Sequence, residues 1–388
     1  MTSKVDAIHE SEYGIKPQII VSAPLRIHLM GEHSCFFGDK TLSLAVNVPV
    51  YMAVSLRNDT NLAFYYNKTN ERKKLNLVTT TKFRKEDRLA NLFKAVIYAY
   101  QDCGFEFSGF DVTVYSEIPP QVGFGVRNAM IVCAANAIRK LFKPHFPVSK
   151  MVSVIERACT VYLSVPFSLP DVYTALFSKK RYCILTDSST KEYELLPFNF
   201  PGFSVLLTDC KVPNVSIWNE ESFHTEKNKQ ALASLKKTKM GKIVYDDSIA
   251  EMNEAFEGMS EEQRRKLIFI IREFQNMNDA IDALENGALS QFVRSVNRSQ
   301  DSLRELLNIS CPEIDWIAKR VQEMNTNVYG ECFSCARITG NGIGHSMFAI
   351  LKDDDIETYM QKLVDYEKIF SFHPVTYTVG SADGALIL

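Results

Sequence analysis

The chain contains no apolar run approaching the roughly 18 residues that a membrane-spanning helix requires, so no contact with a membrane is expected. It also lacks an excess of either charge. Lys and Arg total 44 against 46 Asp and Glu, a net charge of -2, where a domain that binds nucleic acid by bulk electrostatics is strongly basic. No basic stripe interleaved with aromatics appears, and direct nucleic-acid binding is not expected. The opening stretch MTSKVDAIHESEYGIKPQ has no apolar core of the kind a signal peptide carries, so residues 1–17 are expected to form a flexible tail and the protein to stay inside the cell, in nucleus or cytoplasm. Paired cysteines are missing too. The nine cysteines are an odd number, and most sit in apolar runs such as AMIVCAANAI, as small core residues do in a reducing compartment. Only Cys332 and Cys335 have ligand-like spacing, with His345 the lone candidate nearby, so no metal site is expected.

What is present is an ordinary globular composition, 46% hydrophobic and 23% charged, in a chain of 388 residues that is too long for one core. Pro201 and Gly202 mark a plausible boundary, giving expected domains at 18–200 and 201–388. Strand-like segments at 18–29 and 44–57 precede a helical repeat of Leu89, Leu92, Phe93, Val96, Ile97 and Tyr100. RYCILTDSS and KEYELLPF read as a strand pair. Ser149 is placed to cap the helix SKMVSVIERACTVYL, and Ser260 with Gln263 forms a capping box for a long helix. Pro312 suits the first turn of another. Strands and helices alternate without a strict β-α-β-α repeat, which argues for an α+β fold. The run at 227–242 is basic and reads as a solvated face.

Four segments stand out. SAPLRIHLMGEHSCFFGDKTLSLAVN (22–47) offers Arg26, Glu32, His33 and Cys35 around a glycine turn. IPPQVGFGVRNAM (118–130) places Gly123 and Gly125 ahead of a helix, with Arg127 and Asn128 in its first turn. SVPFSLPDVYTALF (164–177) carries Asp171 after Pro170, where its composition reads as a helix cap. ARITGNGIGHSMFAIL (336–351) sets Gly340, Gly342 and Gly344 between two strands. Small residues at a helix N-terminus let backbone N–H groups approach phosphate.

In order and over nearly the whole chain, these segments resemble the GHMP kinases, and most closely their galactokinase branch. The first is similar to A-P-G-R-V-N-L-I-G-E-H-T-D-Y, the second to P-x-G-S-G-L-G-S-S-A, the third to G-M-P-C-G-I-M-D-Q-F and the fourth to R-M-T-G-G-G-F-G-G-C. The resemblance implies a two-domain GHMP kinase fold, with a ribosomal-protein-S5-like N-terminal domain and a ferredoxin-like C-terminal domain. It places Asp171 at the catalytic carboxylate with Arg26 beside it, Glu32, His33 and Cys35 in a substrate-like site, and the glycines in phosphate loops.

Two substitutions bear on activity. Val126, Arg127 and Asn128 stand where the family has Mg²⁺-binding serines, and a guanidinium has no lone pair for a metal. Cys35 stands in place of an aspartate able to accept hydrogen bonds from two sugar hydroxyls, which a thiol cannot match. The expectation is therefore a catalytically degenerate protein that needs no cofactor and works through a protein partner. The altered pattern also resembles a regulatory nematode member of the fold, implying a developmental role in differentiation, sex determination and dosage compensation. The alternative is an active ATP- and Mg²⁺-dependent kinase for an altered sugar-like substrate.

Overall fold

The computed structural model describes residues 2–35, 40–78, 83–120, 122–143, 145–213, 259–324, 332–340 and 346–388. The chain divides into two compact units. One comprises Met1–Ile27, Ser43–Ile184 and Val379–Leu388, the other His28–Leu42 and Leu185–Thr378.

The first unit begins with a helix where a loose tail was expected. Helix α1 (Thr2–Tyr13) buries Val5 and His9 completely. Its hold is mostly polar, which is why no apolar periodicity announced it. The two ring nitrogens of His9 lie 3.0 Å from Thr113 Oγ1 and 2.7 Å from Ser55 Oγ, and Tyr13 donates to the Val112 carbonyl at 2.8 Å. Beneath it lies a sheet built from β1 (Ile19–Met30), β2 (Lys40–Arg57), β3 (Asn61–Tyr66), β4 (Glu71–Asn76), β5 (Gly109–Tyr115) and β12 (Leu386–Ile387), in the order β12-β1-β2-β5-β3-β4. β2 runs antiparallel to β5 with Val54 opposite Val112, and β3 runs parallel to β5. Every residue of β5 is buried, as its β-branched and aromatic content favours.

Four further helices complete this unit: α2 (Ala90–Gln101), α3 (Val126–Phe142), α4 (Val148–Arg157) and α5 (Leu169–Phe177), with α3 packed against the other three. Ser149 does not cap α4. Pro147 holds the capping position, its carbonyl accepting from Lys150 and Met151, so the helix has already begun when Ser149 is reached. β6 (Tyr182–Asp187) pairs with β7 (Glu192–Pro197), as the sequence suggests, and also with β2, which makes the sheet eight-stranded.

The second unit is a sheet of order β11-β8-β10-β9, with β8 at Phe203–Asp209, β9 at Cys335–Ile338, β10 at Ser346–Lys352 and β11 at Val375–Val379. Pro201 and Gly202 form the turn that feeds β8 and lie inside this unit. Ala349 of β10 faces Leu206 on one side and Ala336 on the other. Helices α6 (Glu261–Glu285), α7 (Leu289–Ser302), α8 (Pro312–Gln322) and α9 (Ile356–Phe370) enclose a core that includes Leu206, Phe269, Ile314, Met347 and Tyr359. The capping box at α6 forms as read, with Gln263 N donating to Ser260 Oγ at 3.3 Å and Ser260 N to Gln263 Oε1 at 3.0 Å. Pro312 opens α8, also as read. No described helix is long and apolar enough to cross a membrane. The basic run at 227–242 and His345 lie outside the described residues.

Candidate functional site

The first unit gathers one constellation from three distant segments. Arg26, on β1, donates from Nη1 to the Gly123 carbonyl at 2.7 Å and from Nη2 to Asp171 Oδ2 at 2.7 Å. The backbone joins in, since Arg26 N donates to the Phe124 carbonyl at 3.1 Å. Asp171 lies in the first turn of α5, and its side chain is 2% exposed. It is not the cap of that helix. Ser168 takes that role, accepting from Asp171 N at 3.4 Å while its hydroxyl donates to Asp171 Oδ1 at 2.9 Å. The Asp171 carboxylate is thereby free of capping duty and is instead gripped by side chains. Asn128 supplies another grip, its Nδ2 donating to Asp171 Oδ2.

The loop ahead of α3 is shaped for close approach. Gly125 sits at the capping position of α3 with φ +78°, and an added Cβ would lie 3.1 Å from Arg26 Cγ. A side chain there would be strained by the backbone and would press on the arginine. No side chain caps α3 and no acidic residue lies in its first turn, so its leading N–H groups present partial positive charge. Arg127, in the first turn of α3, is exposed.

The second unit holds the other constellation. After β1 the chain turns sharply at Gly31 (φ +87°), where an added Cβ would lie 2.1 Å from the Lys40 carbonyl oxygen. Only glycine fits, and the turn closes through Cys35 N donating to the Gly31 carbonyl at 3.0 Å. Arg337, fully buried on β9, donates to Glu32 Oε1 at 2.6 Å and to Oε2 at 2.9 Å. The same guanidinium reaches Glu273 Oε1 of α6 at 3.3 Å and Ser299 Oγ of α7 at 2.8 Å. Glu273 Oε1 also accepts from Ser299 Oγ at 2.8 Å and from Gly31 N at 3.1 Å.

Burial pushes the Glu32 carboxyl up, but the Arg337 charge and its hydrogen bonds outweigh it and hold the group down at about 2. Burial raises Glu273 above the usual carboxylate range, against the pull of Arg337. His33 is pushed down to about 4, chiefly by burial, with the Glu32 charge opposing. Cys35 is buried, its Sγ donating to the Glu32 carbonyl at 3.6 Å. Thr339, beside Gly340, accepts from His28 N at 3.2 Å. Gly342 and Gly344 lie outside the described residues.

Arg26, Asp171, Gly123, Gly125 and Asn128 thus come together in one place, and Glu32, His33 and Cys35 in another. Glu273 was not anticipated, although one acid inside the apolar stretch LIFIIREFQNM is a visible oddity. Arg337 lay within the fourth segment, but its partners are remote in sequence.

Comparison with known proteins agrees with this geometry. Residues 7–56 match the galactokinase galactose-binding signature, and residues 91–179 match the GHMP kinases N terminal domain. The fold overlays on that of a Lactococcus lactis galactokinase complexed with galactose, with a TM-score of 0.82 at 19% identity and full coverage of both chains. A mevalonate kinase structure overlays with a TM-score of 0.63 at 13% identity, covering 94% of this chain and 99% of that one. These matches define the architecture as the α+β GHMP kinase fold. A Treponema pallidum protein provisionally named a galactokinase is 34% identical over 385 residues, covering 99% of this chain and 96% of that protein. The Thermotoga maritima galactokinase is 25% identical over 365 residues, 94% of this chain and 98% of its own. The chain belongs to the GHMP kinase family, in its galactokinase-like branch.

That relationship overturns the expectation of a degenerate, non-enzymatic scaffold. The full-length relatives carry a kinase name, and nothing in them supports a nematode developmental regulator, sex determination or dosage compensation. The expectation leaned on the missing serines. It did not foresee that Asn128 would stand in the first turn of α3 with its amide on Asp171. Membership of a kinase family implies ATP and Mg²⁺, the pair expected under the alternative of an active kinase.

Proposed function

We propose that the protein is an ATP-dependent kinase that phosphorylates a hydroxyl group of a sugar-like small molecule. The observation that carries this reading is the buried Asp171 carboxylate, held by Arg26, Asn128 and Ser168 beside a helix N-terminus open to phosphate.

The residues present fit Mg·ATP. The glycine loop at Gly123 and Gly125 leads into the first N–H groups of α3, where phosphates would bind, and Arg127 adds an exposed cation there. Asn128 makes no hydrogen bond through its Oδ1 among the described residues, and this amide oxygen is a hard ligand of the kind that would suit Mg²⁺. Mg·ATP, when bound, supplies the phosphoryl group and neutralises charge on the oxygens in transfer. Asp171 orients the attacking hydroxyl and receives its proton. Arg26 pins Asp171 and the Gly123 carbonyl at fixed distance, which keeps carboxylate and loop in register. Glu32, His33 and Cys35 fall within the span matched by the galactose-binding signature and are assigned to the sugar side. Cys35 makes that side poorer in acceptors than an aspartate would, so the substrate differs from galactose at the hydroxyls an aspartate would hold.

The test is ADP release from Mg·ATP with a panel of aldohexoses, deoxyhexoses and aldopentoses. One of them should stimulate release well above the water background, and Asp171→Asn should lower that rate about 100-fold or more, beyond what the loss of stability seen in its melting curve explains. Equal rates for Asp171→Asn and the parent protein would sink the reading.

A further inference from the structure

The second unit carries a surface cavity of about 570 Å³ that shares no residue with either constellation above. Its wall is made by Phe203 at the start of β8, Lys352 at the end of β10, Phe333, and Ala288 and Arg294 at the beginning of α7. Phe203 and Lys352 are register partners across the β8–β10 ladder, so the cavity is anchored on one end of the central strand pair of the sheet. Its volume lies in the range typical of small-ligand pockets.

The charge on this wall is one-sided. No carboxylate lines the cavity. Among the described residues neither Arg294 nor Lys352 has an ion pair or a side-chain hydrogen bond, and the Lys352 ammonium rests 5.4 Å from the centroid of the Phe333 ring. The neighbouring basic residues are neutralised, Arg298 by Asp279 and Arg304 by Asp301 and Glu305. Arg294 and Lys352 thus bring two cations without an ion pair among the described residues to the lining of one hollow. The first turn of α7 carries no acidic residue, which adds to the positive field without being its source.

We infer that this cavity binds a phosphate monoester of a small organic molecule. The guanidinium of Arg294 presents the planar fork that grips phosphate through two parallel hydrogen bonds, and Lys352 adds a point charge on the other side. Phe203 offers an apolar surface to the organic part. The ligand is thus an ester and not the bare anion.

The test is isothermal titration of the full chain at fixed ionic strength with glucose 6-phosphate, inorganic phosphate and glucose. Glucose 6-phosphate should bind, glucose should not, and inorganic phosphate should bind about tenfold more weakly than the ester. Arg294→Ala and Lys352→Ala should each weaken the ester about tenfold or more. Their melting temperatures without ligand should match the parent, and the rise in melting temperature that the ester gives the parent should be lost. Absence of ester binding overturns the proposal. So does binding left intact in both variants, which would place the ester elsewhere on the protein. Equal affinity for inorganic phosphate overturns the assignment of an organic part to Phe203.

Discussion

Arg337 clasps Glu32 through both terminal nitrogens of one guanidinium, at 2.6 and 2.9 Å, in a place where neither side chain meets much water. The same guanidinium must also serve Glu273, whose carboxyl burial pushes upward. Two carboxylates and one cation form a closed group whose members cannot be removed singly without stranding the others.

Arg337→Met leaves Glu32 and Glu273 facing each other without a counter-charge. Chemical denaturation should show a loss of about 3–5 kcal/mol, the usual penalty for breaking a buried pair. Adding Glu273→Gln should recover part of it, because one of the stranded charges is then gone. A loss under about 1 kcal/mol would show that the group contributes little.

Gly125→Ala tests the closeness of the α3 loop to Arg26. A left-handed alanine is disfavoured by about 1–2 kcal/mol, and its methyl group would press on Arg26 Cγ. Kinase turnover should fall by more than that stability loss explains, since Arg26 holds both Gly123 and Asp171. Steady-state kinetics beside a melting curve separates the two effects, and unchanged kcat with a lowered Tm would refute the positional role.

Cys35→Asp tests the sugar side. If the thiol is what disfavours galactose, kcat/KM for galactose should rise about tenfold or more relative to the best sugar of the parent protein. No change in that ratio would show that Cys35 does not select the substrate.

His9 predicts an acid-sensitive anchor for α1. Burial holds its pKa at about 4 against an ordinary 6.5, so the folded state keeps it neutral while the unfolded chain takes up a proton. Its contribution is complete above pH 6.5 and declines as pH falls towards 4, by about 3 kcal/mol over the window. His33 shifts in the same direction, so the parent alone does not isolate one histidine. His9→Gln keeps a polar side chain between Ser55 and Thr113 but cannot titrate. Its stability should fall less steeply across the window, by up to about 1.4 kcal/mol per pH unit. Identical slopes would clear His9.

The elements that sequence made legible are those whose determinants are local. Ser260 and Gln263 sit three residues apart and read as a cap before any fold is known. Elsewhere the determinants are remote. α1 is held by His9, Tyr13 and Lys4 against strands at Ser55 and 112–115, and nothing within residues 2–13 shows it. Asp171 allowed two readings until Ser168 was seen to cap α5. Arg26, Asp171 and the glycine loop were legible through family resemblance. The inference of lost activity failed because it counted missing serines and did not ask what the amide of Asn128 would touch.

The pairing of β12 with β1 has a consequence for how the protein is made. Val21 and Ser22 meet Ile387 and Leu386, and the segment carrying them is tied further by Ala385 N to the Ala175 carbonyl at 2.7 Å. While a ribosome is still synthesising the middle of the chain, β1 has a partner on one edge only, and its other edge offers unpaired N–H and carbonyl groups to any passing strand. Residues 28–42 and 185–378, which form the whole of the second unit, are translated before that edge is covered. Completion of the first unit is therefore a late event that follows translation through residue 387, with the long loop closure and slow kinetics that such distant pairing entails.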